Sequence, residues 1–224
     1  MGLQIANPVT PTLVADQVYE VLENAILTGS LEAGAPLRVR DLAAMVGTSV
    51  MPVREAIRRL EEAGLATRAP HKGAAVRKFT VTELIHIYDV RTTLEVQAAT
   101  MGAPNVSKSD VRHMDAACKR MQKAVDDGRI VDALNLDEEV LRTLYKASGN
   151  PVLVSIIEQL WLQCRPYKVI GASEAAAKND STLWTPQPSL VQALMAGDTA
   201  AATTITADSL ASARRRLELR LEPH

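Results

Sequence analysis

PLRVRDLAAMVGTSVMPVREAIRRLEEAGLATRAPHKGAAV, residues 36–76, reads as two short helices, a turn between them and a β-hairpin. The first helix is expected over 39–45, closed by Gly47, and the second over 49–63, closed by Gly64. Ser49 suits an N-cap, and Pro52 falls in the first turn, where its missing N–H costs nothing. Val53, Ile57 and Leu60 recur at i, i+4 and i+7 and make one apolar stripe, so Arg54, Arg58 and Arg59 point elsewhere. Two extended runs, 65–69 and 74–78, flank PHKG and form a wing. Two helices, a tight turn and a basic outer face fit the helix-turn-helix pattern, whose second helix enters the DNA major groove. An arginine fork donates to guanine or clamps a phosphate. The competing reading is a solvated helix whose arginines are balanced by Glu55, Glu61 and Glu62.

Outward from this stretch, the 224 residues suffice for one large or two modest domains. With 47% apolar residues but one Phe and two Trp, the interior must be filled by Leu, Val, Ile and Ala, which favours helices. A net charge of −1 does not by itself announce a nucleic-acid binder, so binding has to come from local clustering of Arg54, Arg58, Arg59, Arg68, Lys72, Arg77 and Lys78. Cys118 and Cys164 are too few for a disulfide framework or a metal signature and read as buried small hydrophobes. The first residues, MGLQIANPVTPT, lack the basic start and apolar core of a secretory signal, and no window is apolar enough to span a membrane. A cytoplasmic protein is expected.

A helix over 13–27, with Val14, Val18, Val21, Leu22, Ala25 and Ile26 on one face, supplies the third helix that a winged helix-turn-helix needs. After the wing, Thr80 and Glu83 form a T-x-x-E capping box, which places the domain boundary at 79/80. Beyond it, helices are expected over 82–101, 108–127, 130–147, 151–169, 187–196 and 198–221, packed as an antiparallel bundle. The stretch 171–185 reads as a loop over the bundle with Leu183 and Trp184 tucked in. The fold class is therefore mainly α: a winged helix-turn-helix over 1–79, then an all-α antiparallel bundle over 80–224.

The run LRVRDLAAMVGTSVMPVREAIRRLEEAGL, with a hairpin carrying Gly73 behind it, resembles the DNA-binding domain of the GntR family of bacterial transcription regulators. That resemblance implies DNA contacts from Arg40, from Ser49, Val50, Met51 and Arg54 at the start of the recognition helix, and from His71, Lys72 and Gly73 in the wing. Arg58, on the basic face, joins them. One position departs from the family pattern: the residue after the Ser cap is usually basic, and here it is Val50, which can touch a thymine methyl but cannot donate a hydrogen bond. The second half, through Arg91 and Glu95, LDEEVLRTLYKASGNPVL and LVQALMAGDTAAATTITADSL, is similar to the all-helical FCD effector domain of the FadR-like branch.

Many members of that branch hold a divalent metal in the bundle with one Asp and three His. Matching the SGN and GD landmarks puts the Asp at Asp137 and the three His positions at Leu141, Gln187 and Ser209. The four histidines of this chain, His71, His86, His113 and His224, stand elsewhere. No transition metal is expected to bind as it does in relatives, and no cofactor is expected. Asp137 then either lines a pocket or is an ordinary carboxylate on an acidic helix. A metal-free effector pocket would draw its polar lining from Arg91, Asp137, Gln187 and Ser209, with Arg165 as a further candidate. A buried arginine facing a cavity calls for an anion, so the implied effector is a small carboxylate. The plainer alternative pairs Arg91 with Glu95 one turn on.

These readings converge on a homodimeric, ligand-responsive DNA-binding regulator, a repressor by default, acting on an inverted repeat and not on a membrane. Two alternatives stay open: ligand-insensitive DNA binding with a decayed pocket, and an enzyme in the helical half, for which no Ser/His/Asp or Cys/His arrangement can be placed on neighbouring turns.

Overall fold

The computed structural model describes residues 12–69 and 73–221 and divides into two compact units between Lys78 and Phe79. The first unit contains α1 (Thr12–Leu27), α2 (Val39–Met45), α3 (Val50–Glu62), β1 (Ala66–Ala69) and β2 (Gly73–Val76). On α1 the buried positions are Ala15, Val18, Leu22 and Ile26. Val14 and Val21, expected on that face, are 45% and 54% exposed, because the buried stripe runs through Ala15 instead. α3 packs against α1, and Val53, Ala56, Ile57 and Leu60 are sealed from solvent. Full burial of Val53, Ile57 and Leu60 contributes roughly 1.5–3 kcal/mol each. Gly47, at φ +68°, makes the tight turn between α2 and α3.

β1 and β2 pair antiparallel with Ala66 opposite Val76. The ladder is shorter than the sequence suggests, since Leu65 and Arg77 meet through a single bond in which Arg77 N donates to Leu65 O at 2.8 Å. Leu37 N donates to Ala74 O at 2.8 Å and Val76 N to Ala35 O at 2.9 Å, so the chain entering α2 is stitched to the free edge of the hairpin. That pairing removes most of the exposed strand edge.

The second unit is helical: α4 (Val81–Gly102), α5 (Lys108–Asp126), α6 (Ile130–Lys146), α7 (Pro151–Ala177), α8 (Pro186–Met195) and α9 (Thr199–Glu218), with single 3-10 turns at Ala103–Asn105 and Thr182–Trp184. The Thr80/Glu83 capping box forms as expected, with Thr80 N donating to Glu83 Oε2 at 2.8 Å and Glu83 N to Thr80 Oγ1 at 3.2 Å. Ser107 and Asp110 build a second box at the start of α5. Side chains of Asn150 and Asp198 accept from Leu153 N and Ala201 N and start α7 and α9.

α7 is the main departure from the sequence-based expectation. It runs on to Ala177, so the first half of the expected loop is helix, because Ala172 and the alanines at 175–177 favour helix strongly enough to carry Gly171. Asn179, at φ +54°, ends it in the left-handed conformation that asparagine tolerates. Trp184 is buried and Leu183 packs beside it, as expected for the segment that follows.

The main core gathers Met114, Val140, Leu144, Tyr145, Ile157, Trp161, Leu190 and Val191 from four helices, α5 to α8. Gly102 lets the end of α4 press on α6, since a Cβ there would lie 2.2 Å from the Leu144 carbonyl oxygen. Both cysteines are buried and free. Burial raises the Cys118 thiol to a pKa of about 11, with Asp115 and Asp137 adding to the effect, which leaves it unreactive at neutral pH. Among the described residues no helix is long and apolar enough to cross a membrane.

Candidate functional site

Among the described residues, two places bring chemistry-bearing side chains together, one in each unit. In the first unit, α3 divides its arginines among three jobs. Arg59 ties the helix to α1, through an ion pair with Asp16 at 2.5 Å and a stack over the Tyr19 ring at 4.3 Å. Arg58 is held within its own helix by Glu55 at 2.5 Å and by Glu62. Its guanidinium is exposed, and a solvent-screened pair of this kind holds it only weakly. Arg54 alone of the three is exposed and has no ion-pair partner among the described residues.

Around Arg54 lies the start of the helix. Ser49 is the N-cap but its hydroxyl makes no capping bond, which leaves it free to meet a phosphate beside the positive end of the helix dipole. Val50 is 40% exposed and Met51 70%. Such apolar groups held in water suit contact with base edges and thymine methyls. Arg40 is exposed and sits within the first turn of α2. Gly73 opens β2 and is exposed. His71 and Lys72 lie outside the described residues.

In the second unit, a cavity of about 80 Å³ is enclosed by α4, α6, α7, α8 and α9. Arg91, Asp137, Gln187 and Ser209, four positions far apart in sequence, all line it, and Leu141 lines it with them. Arg165 does not. Its guanidinium turns instead to Glu138 at 2.7 Å and to Asn135 Oδ1 at 2.5 Å. His86 and His113 are exposed, and His113 Nε2 lies 3.0 Å from Glu139 Oε1.

Arg91 Nε donates to Glu95 Oε1 at 2.7 Å, and its guanidinium lies 4.4 Å above the Tyr88 ring. Glu95, fully buried, also accepts from Trp161 Nε1 at 2.9 Å and from the Tyr145 hydroxyl at 3.0 Å. Burial opposes the charge on Arg91, but Glu95 outweighs it and raises the arginine well above its usual range. Burial, helped by the adjacent Glu95, pushes Tyr145 up as well, so it stays a hydrogen-bond donor. Arg91 Nη1 is buried with no hydrogen-bond partner in a described residue, and so is Gln187 Oε1.

Across the cavity Asp137 accepts from the Gln187 side-chain amide and from Lys168 Nζ, the latter at 3.1 Å. Lys168 is also 3.6 Å from Glu138 Oε1. Burial would lower its pKa, but Asp137 and Glu138 reverse the effect and raise it, so it remains an ammonium. Lys168 was not singled out from the sequence. The signal was its place seven residues after Trp161 and four after Cys164, both buried, which turns it inward on α7.

This donor set does not suit a transition metal. Leu141 offers no ligand, Gln187 and Ser209 are weak neutral donors, and both oxygens of Asp137 already accept hydrogen bonds, one of them from a cation. Among the described residues there is no cluster of three or more His, Cys, Asp or Glu able to hold an ion.

The chain matches two family models, the bacterial regulatory proteins of the gntR family over residues 14–76 and the FCD domain over residues 86–212. It is 29% identical to the HTH-type transcriptional regulator McbR of Escherichia coli over 163 residues, 70% of this chain and 74% of that protein. It is 31% identical to a probable D-xylose utilization operon transcriptional repressor of Paenarthrobacter nicotinovorans over 191 residues, 84% of this chain and 82% of the relative. The solved structure of E. coli McbR/YncC superposes with a TM-score of 0.78 at 25% identity, covering 93% of this chain and 99% of that one.

Proposed function

Because the chain belongs to the gntR family of bacterial regulatory proteins and carries an FCD domain, and is thus a DNA-binding transcription regulator, we propose that it is a homodimeric repressor. Its operator is an inverted repeat, read by two copies of α3 through Arg54, Ser49, Val50 and Met51, with Arg40 and the wing residues His71, Lys72 and Gly73 on the flanking backbone. The winged half, 1–79, binds DNA, while the helical half, 80–224, dimerises and senses the effector. Val152 and Ile156, one turn apart on α7 and exposed at 67% and 42%, favour a second copy of the chain against that face. The protein acts by binding, not by catalysis, in the cytoplasm beside the chromosome.

The effector is a small carboxylate. The observation that carries this reading is the buried Arg91 Nη1, a charged donor with no hydrogen-bond partner among the described residues, on the wall of a cavity that Gln187 and Ser209 also line. A carboxylate reaching Nη1 completes the fork that Glu95 half fills. The acid shifts operator binding only in so far as it binds one arrangement of the dimer more tightly than the other. A second reading, ligand-insensitive DNA binding, is favoured by Glu95, which already pairs with Arg91.

A thermal-shift screen of short organic acids separates the two. At least one acid is expected to stabilise the wild type. Arg91→Lys, which keeps a cation for Glu95 but loses the fork, is expected to bind that acid about 10- to 100-fold more weakly, as for the loss of a charged hydrogen bond. Absence of any response in the wild type, or equal responses in both proteins, would count against the carboxylate.

A further inference from the structure

The cavity of the helical unit holds more charge than its ligand chemistry needs. Asp137, 6% exposed, would by itself make the wall a receptor for cations, because a buried carboxylate seeks a counter-charge. Instead α7 brings Lys168 Nζ to 3.1 Å from Asp137 Oδ2 and 3.6 Å from Glu138 Oε1, with only 16% of the lysine side chain exposed. Once that pairing is made, the buried donor left without a hydrogen-bond partner in a described residue is Arg91 Nη1, which attracts an anion.

We infer that Lys168 is the specificity-determining residue of this cavity: its ammonium serves as a covalently attached counter-ion for Asp137, which keeps that carboxylate from drawing a cation and leaves the cavity to an anion. Lys168 supplies from α7 the positive charge that a buried carboxylate needs. It stands where the polar cavity meets a larger, more apolar one of about 470 Å³, lined by Phe79, Leu84, Ile170 and Leu217, and it lines both. The inference rests on the proposed reading of the cavity as the effector site.

Melting of the full-length protein with added metal tests it. The wild type is expected to melt at the same temperature in EDTA and in millimolar Mn²⁺, and to carry no stoichiometric metal by elemental analysis. Lys168→Ala strips Asp137 of its counter-charge, while Glu138 keeps Arg165, and leaves a buried carboxylate able to draw a hard divalent cation such as Mn²⁺. It is expected to melt on the order of 10 °C lower and to recover part of that loss in Mn²⁺. Lys168→Arg keeps the charge and should stay indifferent to the metal. If Lys168→Ala does not fold, Lys168→Gln, which retains a hydrogen-bond donor for Asp137, takes its place in the same titration. A wild type that loses stability in EDTA or holds about one metal per chain overturns the inference, as does a neutral variant that melts like the wild type or ignores Mn²⁺. None of these readouts involves the effector, so failure of the organic-acid screen would sink the carboxylate and leave this result standing.

Discussion

Glu95→Ala is expected to destabilise the helical unit by about 3–5 kcal/mol, the usual loss when one partner of a buried ion pair is removed. Three donors lose their acceptor together: Arg91 Nε, Trp161 Nε1 and the Tyr145 hydroxyl. The guanidinium suffers most, since it is left charged in a place where burial already opposes its charge. Urea unfolding followed by tryptophan fluorescence reads the effect in the right unit, because Trp161 and Trp184 are the only tryptophans and both belong to the bundle. The double variant Arg91→Met/Glu95→Leu should recover the part of the loss that comes from the stranded guanidinium, while Trp161 Nε1 and the Tyr145 hydroxyl stay without their acceptor. It should also lose the response to organic acids, separating the structural duty of Glu95 from the ligand duty assigned to Arg91. A Glu95→Ala protein as stable as the wild type would mean that this network does not hold the bundle together.

Arg54→Ala carries the second large expectation, a loss of specific DNA affinity of about 1–3 kcal/mol, or roughly 5- to 150-fold, as for removal of a bidentate contact to guanine. The loss should fall on specific sites and spare binding to unrelated DNA, because non-specific affinity comes from phosphate contacts. Stability should hardly change, since the Arg54 side chain is exposed and makes no ion pair with a described residue. The neighbouring arginines provide the contrast. Arg58→Ala removes a guanidinium already engaged by Glu55 and Glu62, so its effect on DNA binding is expected to be smaller. Arg59→Ala releases Asp16 and Tyr19 and should act through the packing of α3 on α1. Fluorescence anisotropy at fixed salt, with specific and scrambled duplexes, distinguishes the three.

Local chemistry made most of the fold legible in advance. Thr80 with Glu83, Gly47 between two short helices and the i, i+4, i+7 stripe of α3 each act over a few residues, and each reappears in the structure as expected. What failed was decided by competition. The stretch 171–185 reads as a loop from the sequence, yet its first seven residues belong to α7, because the alanines after Gly171 outweigh its cost. Val14 and Val21 fall on one face with Val18 and Leu22 by their spacing, yet the helix turns Ala15 inward and leaves both valines exposed. The cavity was partly legible, since matching landmarks named Asp137, Gln187 and Ser209, and all three line it. Arg165 and Lys168 stand three residues apart on α7, and which of them would reach Asp137 depended on where Glu138 and Asn135 stood across the bundle. The division of labour among Arg54, Arg58 and Arg59 was likewise invisible until Asp16, thirty-odd positions upstream of the helix, met Arg59.

The central claim is that the free face of α3, with Arg54 at its start, reads a two-fold repeated DNA sequence while its apolar stripe anchors it to α1. Selection of duplexes from a random-sequence pool by the full-length protein tests this most directly. Enrichment of an inverted repeat with half-sites about one helical turn apart, abolished or relaxed at symmetric positions by Arg54→Ala, is the predicted result. A pool that stays random, or one whose consensus is the same for wild type and Arg54→Ala, would contradict it.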